Sequence, residues 1–505
     1  MKFKRCFTDG KIDPYDMFEY EKRSCAIRNA NGEAVFEMND IEAPTHWSQL
    51  ASDILISKYV RMKGVPETGH EDSVRKVVGR VVRTIRAEGE AAGLFPSTED
   101  AKIFEDELTY ILLAQRAAFN SPVWFNCGLW REYGVEGGGG NWAWDAEQND
   151  LRELGNNYEK PQCSACFIQS VEDDLMSIFE LVKNEARIFK YGSGTGTNFS
   201  NLRGKNEYLS GGGTSSGLMS FLEVFDRAAG ATKSGGTTRR AAKLVCLDAD
   251  HPEIRDFIEW KRKEEEKAKA LIAQGYEADF NGEAYRTVGG QNSNNSIRLS
   301  DAFMEKLQSG GRWETLSRTT GEVEETFPAH DLMDEINQSA WECADPGLQF
   351  DTTINTWHTC KNTGPIRASN PCSEFMFLDD SACNLASINL QKYANEDGTY
   401  DIDSFLHTVR LLITAQEILV DASSYPTRRI AANSHRFRPL GLGYANLGAL
   451  LMSEGLPYDS DGGRALAGAI TALITGEAYR VSAEVASEIG PFDGYSENSE
   501  PMLEV

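Results

Sequence analysis

Between residues 163 and 300 the chain alternates amphipathic helical stretches such as "DDLMSIFELVKNEARIFKYG" with short apolar runs such as "AAKLVCLDA" and "NSIRLS". Helices need apolar residues every three to four positions, whereas buried strands need a brief continuous run. The alternation therefore predicts an α/β architecture with parallel strand pairings joined by crossover helices. There is no self-similarity of solenoid period. At 505 residues the chain is too long for one small core, so a large domain with appendages, or two to three domains, is expected.

Upstream, "EDSVRKVVGRVVRTIRAEGEAAGLF" repeats its apolar positions at helical spacing, and residues 1–95 read as a mainly helical N-terminal region preceding a catalytic region over 96–505. A second helix is expected over 103–119, stopped by Asn120, Ser121 and Pro122. The glycine-rich stretch 136–150 reads as an exposed insertion, and "WKRKEEEKAKALIAQG", 260–275, as a charged surface helix.

Charge narrows the function. With 51 basic against 77 acidic residues and a net charge of −26, the chain is ill suited to grip nucleic acid through its overall field, although a local basic pocket for a nucleotide is compatible. The N-terminus lacks an apolar targeting segment and no apolar run is long enough to span a bilayer, so no membrane partner and a cytoplasmic location are expected. Ten scattered cysteines do not resemble a secreted disulfide framework; any disulfide is expected to be catalytic.

Cys163 and Cys166 have CxxC spacing, but no second ligand pair accompanies them, which disfavours zinc and leaves a thiol pair or inert burial in "ACFI". "YGSGTGTNFSNLRG", 191–204, lacks the dinucleotide fingerprint and reads either as a tight turn or as a loop whose bare backbone approaches a ligand. "ATKSGGTTRRAA", 231–242, adds Lys233, Arg239 and Arg240 to glycine and serine, a composition that suits phosphate or a solvated turn. From Gln291 to Asn295 the side chains are all amide or serine, able to hydrogen-bond a base edge or ribose, or to form a polar turn.

The segment "ASNPCSEFMFLDDSACNLASINL", 368–390, is the most specific. Pro371 biases Asn370 towards extended backbone, and in an extended strand Asn370, Cys372 and Glu374 would share one side. A carboxylate beside a thiol raises the thiol's pKa, so Cys372 is poorly suited to be an ordinary thiolate nucleophile and better suited to react as S–H or as a sulfur radical, with Glu374 handling protons.

These residues, together with "FNSPVWFN", "GSGTGTNFSNLRG", "ATKSGGTTRRAAKL", "GGQNSNNSIRLSDAFM", "DPGLQFDTTINTW" and "RPLGLGYANLGALL", resemble the large catalytic subunit of the ribonucleotide reductases over nearly the whole chain. The wording is most similar to the adenosylcobalamin-dependent class. The resemblance implies a ten-stranded α/β barrel of two parallel five-stranded halves around a central finger loop. It implies that Cys372 carries the thiyl radical that takes the 3′-hydrogen, that Glu374 deprotonates the 3′-hydroxyl, that Asn370 orients it, and that the thiols of Cys166 and Cys383 supply the reducing equivalents by becoming a disulfide. Cys166 is preferred over Cys163 because "SACFI" is similar to the family's Ser-Ser-Cys strand.

Substrate contacts would fall on Ser121, Ala165, Cys166, Gly194, Asn370, Pro371 and Ser373. A deoxynucleoside triphosphate effector at a homodimer interface would use Asp173, Asp174, Leu175 and Arg203, with the amide-rich loop coupling it to the substrate base. Thioredoxin or a similar reductant would regenerate the dithiol. The resemblance implies a second phosphate loop and a C-terminal cysteine pair that this sequence does not contain, so the second half of the barrel is expected to be incomplete here, the chain being either a fragment or one piece of a split enzyme whose C-terminal half is a separate chain. A di-metal class subunit, or a non-catalytic nucleotide-binding piece of a split reductase, is the alternative. A thiol-disulfide oxidoreductase on Cys163 and Cys166 would leave Asn370, Glu374 and Cys383 unexplained.

Overall fold

The computed structural model describes residues 1–28, 32–232, 241–279 and 282–505, so Lys233, Arg239 and Arg240 lie outside the described residues. The chain divides into two compact units: Met1–Ala165 with Cys383–Asp493, and Cys166–Ala382 with Gly494–Val505. The division falls at 165/166 and not near residue 95.

In the first unit, the helices Val74–Ala91, Thr98–Leu113 and Ile402–Asp421 bury one core, in which Val78, Val82, Phe104, Leu108, Leu412 and Leu419 take part. Ser73 and Ser97 cap the first two by accepting from Lys76 N and Asp100 N. Residues 1–95 share this core with later helices, which is why they do not form a unit of their own. They also hold an antiparallel hairpin, Tyr20–Arg28 with Ala34–Pro44. Most of the first strand's residues are at least partly exposed, so little apolar alternation marked it as a strand.

The second helix stops at Leu113, not at 119. A short strand, Ala117–Phe119, pairs antiparallel with Ala386–Ile388, and Asn120 then begins the helix Ser121–Asn126. The polar turn thus opens a helix where it was expected to end one. Residues 136–150 lead into the hairpin Trp142–Asp145 with Asp150–Glu153, and Trp144 stacks on His435 with ring centroids 3.6 Å apart.

The second unit carries five parallel strands in the order Gly347–Phe350, Asn294–Leu299, Ala242–Asp248, Gly194–Asn198, Cys166–Gln169. Val245, Leu247, Ile297 and Leu299 pack against helices through Leu222, Phe225, Phe257 and Ile336. Strand periodicity turns Cys246, Ser296 and Arg298 to the opposite face. The charged helix spans Ile254–Ala273 and buries Ile254, Phe257, Ile258, Trp260 and Ala268. Among the described residues no helix is long and apolar enough to cross a membrane.

The expected glycine loop is a strand. Gly194 and Gly196 lie within Gly194–Asn198, and a Cβ on Gly196 would come within 1.8 Å of the Ser369 carbonyl oxygen. One on Gly194 would meet Pro371 Cγ at 3.0 Å. The bare backbone is needed because the segment around Cys372 presses onto it.

Candidate active site

The segment around Cys372 is a narrow hairpin. Ala368–Ser369 pairs antiparallel with Met376–Phe377, and Asn370 N donates to Phe375 O at 3.1 Å. Within it Ser373 N donates to Asn370 O at 3.1 Å, and Ser373 is left-handed, with φ +65°. Extended backbone, expected from Pro371, therefore does not continue through residue 374. The turn sends successive side chains apart: Asn370 is buried, whereas Cys372 and Glu374 are exposed.

Sequence-distant groups meet at this turn. Asn370 Oδ1 accepts from Phe375 N at 2.9 Å, and its Nδ2 donates to Cys166 Sγ at 2.9 Å. Cys166 Sγ in turn donates to Glu374 Oε1 at 3.3 Å. Cys166 opens its strand opposite Gly194, so both stand at the same level of the sheet. One thiol thus links the amide and the carboxylate, two groups of different proton chemistry.

Cys372 and Pro371 border a cavity of about 290 Å³ whose wall includes Lys261, Gln291, Asn294, Cys343 and Asp345. Asp226 holds the amide-rich loop there by accepting from Gly290 N, Asn292 N and Asn292 Nδ2. Gln291 Nε2 donates to Gly289 O, and Asn294 Nδ2 to Pro371 O at 2.8 Å. Each of these two amides therefore has one N–H engaged within the unit, and its second N–H and its oxygen remain as further donor and acceptor. Below the turn, burial pushes the Cys246 thiol up to about 12, which keeps it protonated.

Other expected site residues lie in the first unit. Ser121 Oγ is 2.9 Å from Tyr59 Oη, and its helix is tied down by Arg80, which donates to Trp124 O and Cys127 O and pairs with fully buried Glu71. Ala165 N donates to Cys383 O at 3.1 Å, and buried Cys383 donates to Asn384 O at 3.3 Å. Cys163 is also buried in this unit. Its hydrogen bond to Cys127, with burial, holds the Cys127 thiol well above the usual range.

The residues expected at an effector site come together in the second unit. Arg203 Nε donates to Asp173 Oδ2 at 2.7 Å, while Asp174 caps the helix Leu175–Lys190 by accepting from Met176 N and Ser177 N. Leu175 and Met176 stand exposed at the start of that helix.

Sequence reasoning missed Asn294 as an individual contact, and also Asp226, Tyr59 and Gln349. For Gln349 a signal existed: one polar residue at the buried phase of a short strand.

A parallel sheet thus cradles a cysteine-bearing turn against a second thiol, an amide and a carboxylate within an α/β domain. Residues 164–504 match the family profile described as "Ribonucleotide reductase, barrel domain", and residues 21–115 that of "Class II vitamin B12-dependent ribonucleotide reductase". The chain belongs to the ribonucleotide reductase family. It is 52% identical over 504 residues to a vitamin B12-dependent ribonucleotide reductase of Rhodopirellula baltica, covering 99% of this chain and 48% of that protein. It is 43% identical to that of Agrobacterium fabrum, covering 100% of this chain and 48% of the relative. A vitamin B12-dependent ribonucleoside-diphosphate reductase of Thermoplasma acidophilum is 33% identical over 66% of this chain and 41% of its own length. The chain spans about half the length of the first two relatives.

Proposed function

We propose that the whole protein reduces ribonucleotides, as diphosphates, to 2′-deoxyribonucleotides by thiyl-radical chemistry. The observation that carries this reading is the Asn370–Cys166–Glu374 chain of hydrogen bonds beside exposed Cys372.

The matching class is described as vitamin B12-dependent; the cofactor in this reading is adenosylcobalamin, which when bound would supply the radical by homolysis of its cobalt–carbon bond. The fit rests on Cys372. Cys372 is exposed at the edge of the cavity, where its sulfur would receive the radical. Gln291 and Asn294, in the cavity wall, carry amide groups suited to a nucleoside moiety.

The remaining chemistry belongs to this chain. The Cys372 sulfur radical takes the 3′-hydrogen and becomes S–H. Glu374 accepts the 3′-hydroxyl proton while Asn370 orients the hydroxyl. Cys166 and Cys383 give two electrons and two protons as they become a disulfide, and one of those protons leaves with the 2′-hydroxyl as water. Cys372 then returns the 3′-hydrogen. Thioredoxin or a similar dithiol re-reduces the pair. Cys166 is preferred over Cys163 because its sulfur meets Asn370 and Glu374.

Ser121, Ala165, Gly194, Pro371 and Ser373 would contact substrate, and the Asp173–Arg203 pair with Leu175 would receive a deoxynucleoside triphosphate in a homodimer. A ten-stranded barrel, completed by the part of the enzyme beyond this chain, belongs to the same reading. The test is deoxyribonucleotide formation by the full-length protein given adenosylcobalamin, a ribonucleoside diphosphate and dithiothreitol. Product that disappears in Cys372→Ser is expected; no product from the parent enzyme overturns the reading.

A further inference from the structure

The edge strand Gly347–Phe350 buries only Gln349, while Gly347, Leu348 and Phe350 are exposed. A buried amide is costly unless its donors and acceptor are met. Gln349 Oε1 accepts from Arg298 Nη1 at 2.9 Å and from Cys246 Sγ at 3.8 Å. Its Nε2 donates to Ser369 Oγ at 2.7 Å and to Ser373 Oγ at 3.3 Å.

The guanidinium can only donate, so it orients the amide with its oxygen towards Arg298 and its NH₂ towards the serines. Arg298 is itself fixed by Asp351 and by Ile366 O. The two serines flank Cys372 on either side, and they lie 3.2 Å apart. Ser373 is left-handed, a conformation that a residue with a side chain keeps only when its surroundings hold it.

We propose that Gln349 is a positioning residue for Cys372: one buried side chain on the edge strand ties both arms of the turn and so sets where the sulfur stands. Asn294 holds the same turn at Pro371 O. The catalytic consequence rests on the reading of Cys372 as the hydrogen-abstracting cysteine, whereas the position of the thiol can be tested without it.

Gln349→Met keeps the length and burial of the side chain but removes both its donors to the serines and its oxygen acceptor for Arg298. Iodoacetamide labelling of the 505-residue chain, followed peptide by peptide, compares Cys372 with exposed Cys6 as an internal reference. Losing the two hydrogen bonds to the turn is expected to change the Cys372 rate by about fivefold or more. Gln349→Glu, whose carboxylate accepts from both serine hydroxyls and from Arg298, returns the rate towards the parent. Ser369→Ala removes one end of the tie and shifts the rate in the same direction, which serves if Gln349→Met does not fold. An unchanged Cys372 rate in either folded variant, or Gln349→Glu labelling like Gln349→Met, overturns the proposal. In the full-length enzyme Gln349→Met lowers kcat by roughly 100-fold with little change in KM. If the parent itself forms no deoxyribonucleotide, the proposed reaction fails while the labelling result stands.

Discussion

Asn370 Nδ2 and Cys166 Sγ meet at 2.9 Å although 204 positions separate them in the chain. The same amide accepts from Phe375 N, so a single buried side chain both closes the turn and holds the thiol that faces Glu374. Asn370→Ala removes the side-chain acceptor of the Phe375 N–H and the amide donor to Cys166 Sγ, and should cost about 1–3 kcal/mol of stability. Urea unfolding of the chain checks this, and a midpoint equal to the parent's would contradict the role given to Asn370.

Gly196 is held to glycine by the Ser369 carbonyl oxygen. Gly196→Ala should destabilise by about 1–3 kcal/mol as the turn is pushed off the sheet. Gly476, exposed in the helix Asp461–Ile489 with nothing within 4 Å of its Cβ position, is the control. There alanine should stabilise by roughly 0.5–1 kcal/mol. Opposite signs in thermal unfolding are the expected result; equal signs would mean that Ser369 gives way.

Glu207 sets a pH window. Burial raises its pKa, but the backbone N–H of Gly204 and the groups of Thr319 and Ser317 outweigh burial and bring it down to about 2. A carboxyl whose folded pKa lies below its unfolded one adds stability above the unfolded value and loses it as pH falls through the folded one. The contribution should therefore be complete above about pH 5 and fade towards pH 2. The difference in unfolding free energy between the parent and Glu207→Gln should shrink across that window, and a difference flat in pH would rule the linkage out.

Lys243 and Glu185 form a buried ion pair at 2.6 Å, with the ammonium 3.9 Å from the Phe225 ring centroid. Burial raises the Glu185 carboxyl and lowers the Lys243 ammonium, and each partner offsets part of the other's shift. Lys243→Met should cost about 3–5 kcal/mol because it strands the carboxylate, while Lys243→Met with Glu185→Leu recovers most of that loss. Denaturant melts of both variants decide it: a double variant no better than the single one would show that the cost comes from packing.

The sequence by itself was enough for the α/β class and for strand-like runs at 241–249 and 295–300, because periodicity is a local property; it singled out Asn370, Cys372 and Glu374 by functional-group chemistry, and Cys166 by resemblance. It misplaced what depends on distant backbone. Asn120 read as a stop because the strand Ala117–Phe119 exists only through its pairing with Ala386–Ile388. Gly194 and Gly196 read as a loop because the Ser369 and Pro371 that press on them lie far along the chain. The left-handed Ser373, which ends the extended run, is held by Gln349 from another strand. Tertiary packing alone decided which side chains of the turn are buried and which reach the cavity, since that depends on hydrogen bonds closed over many tens of residues.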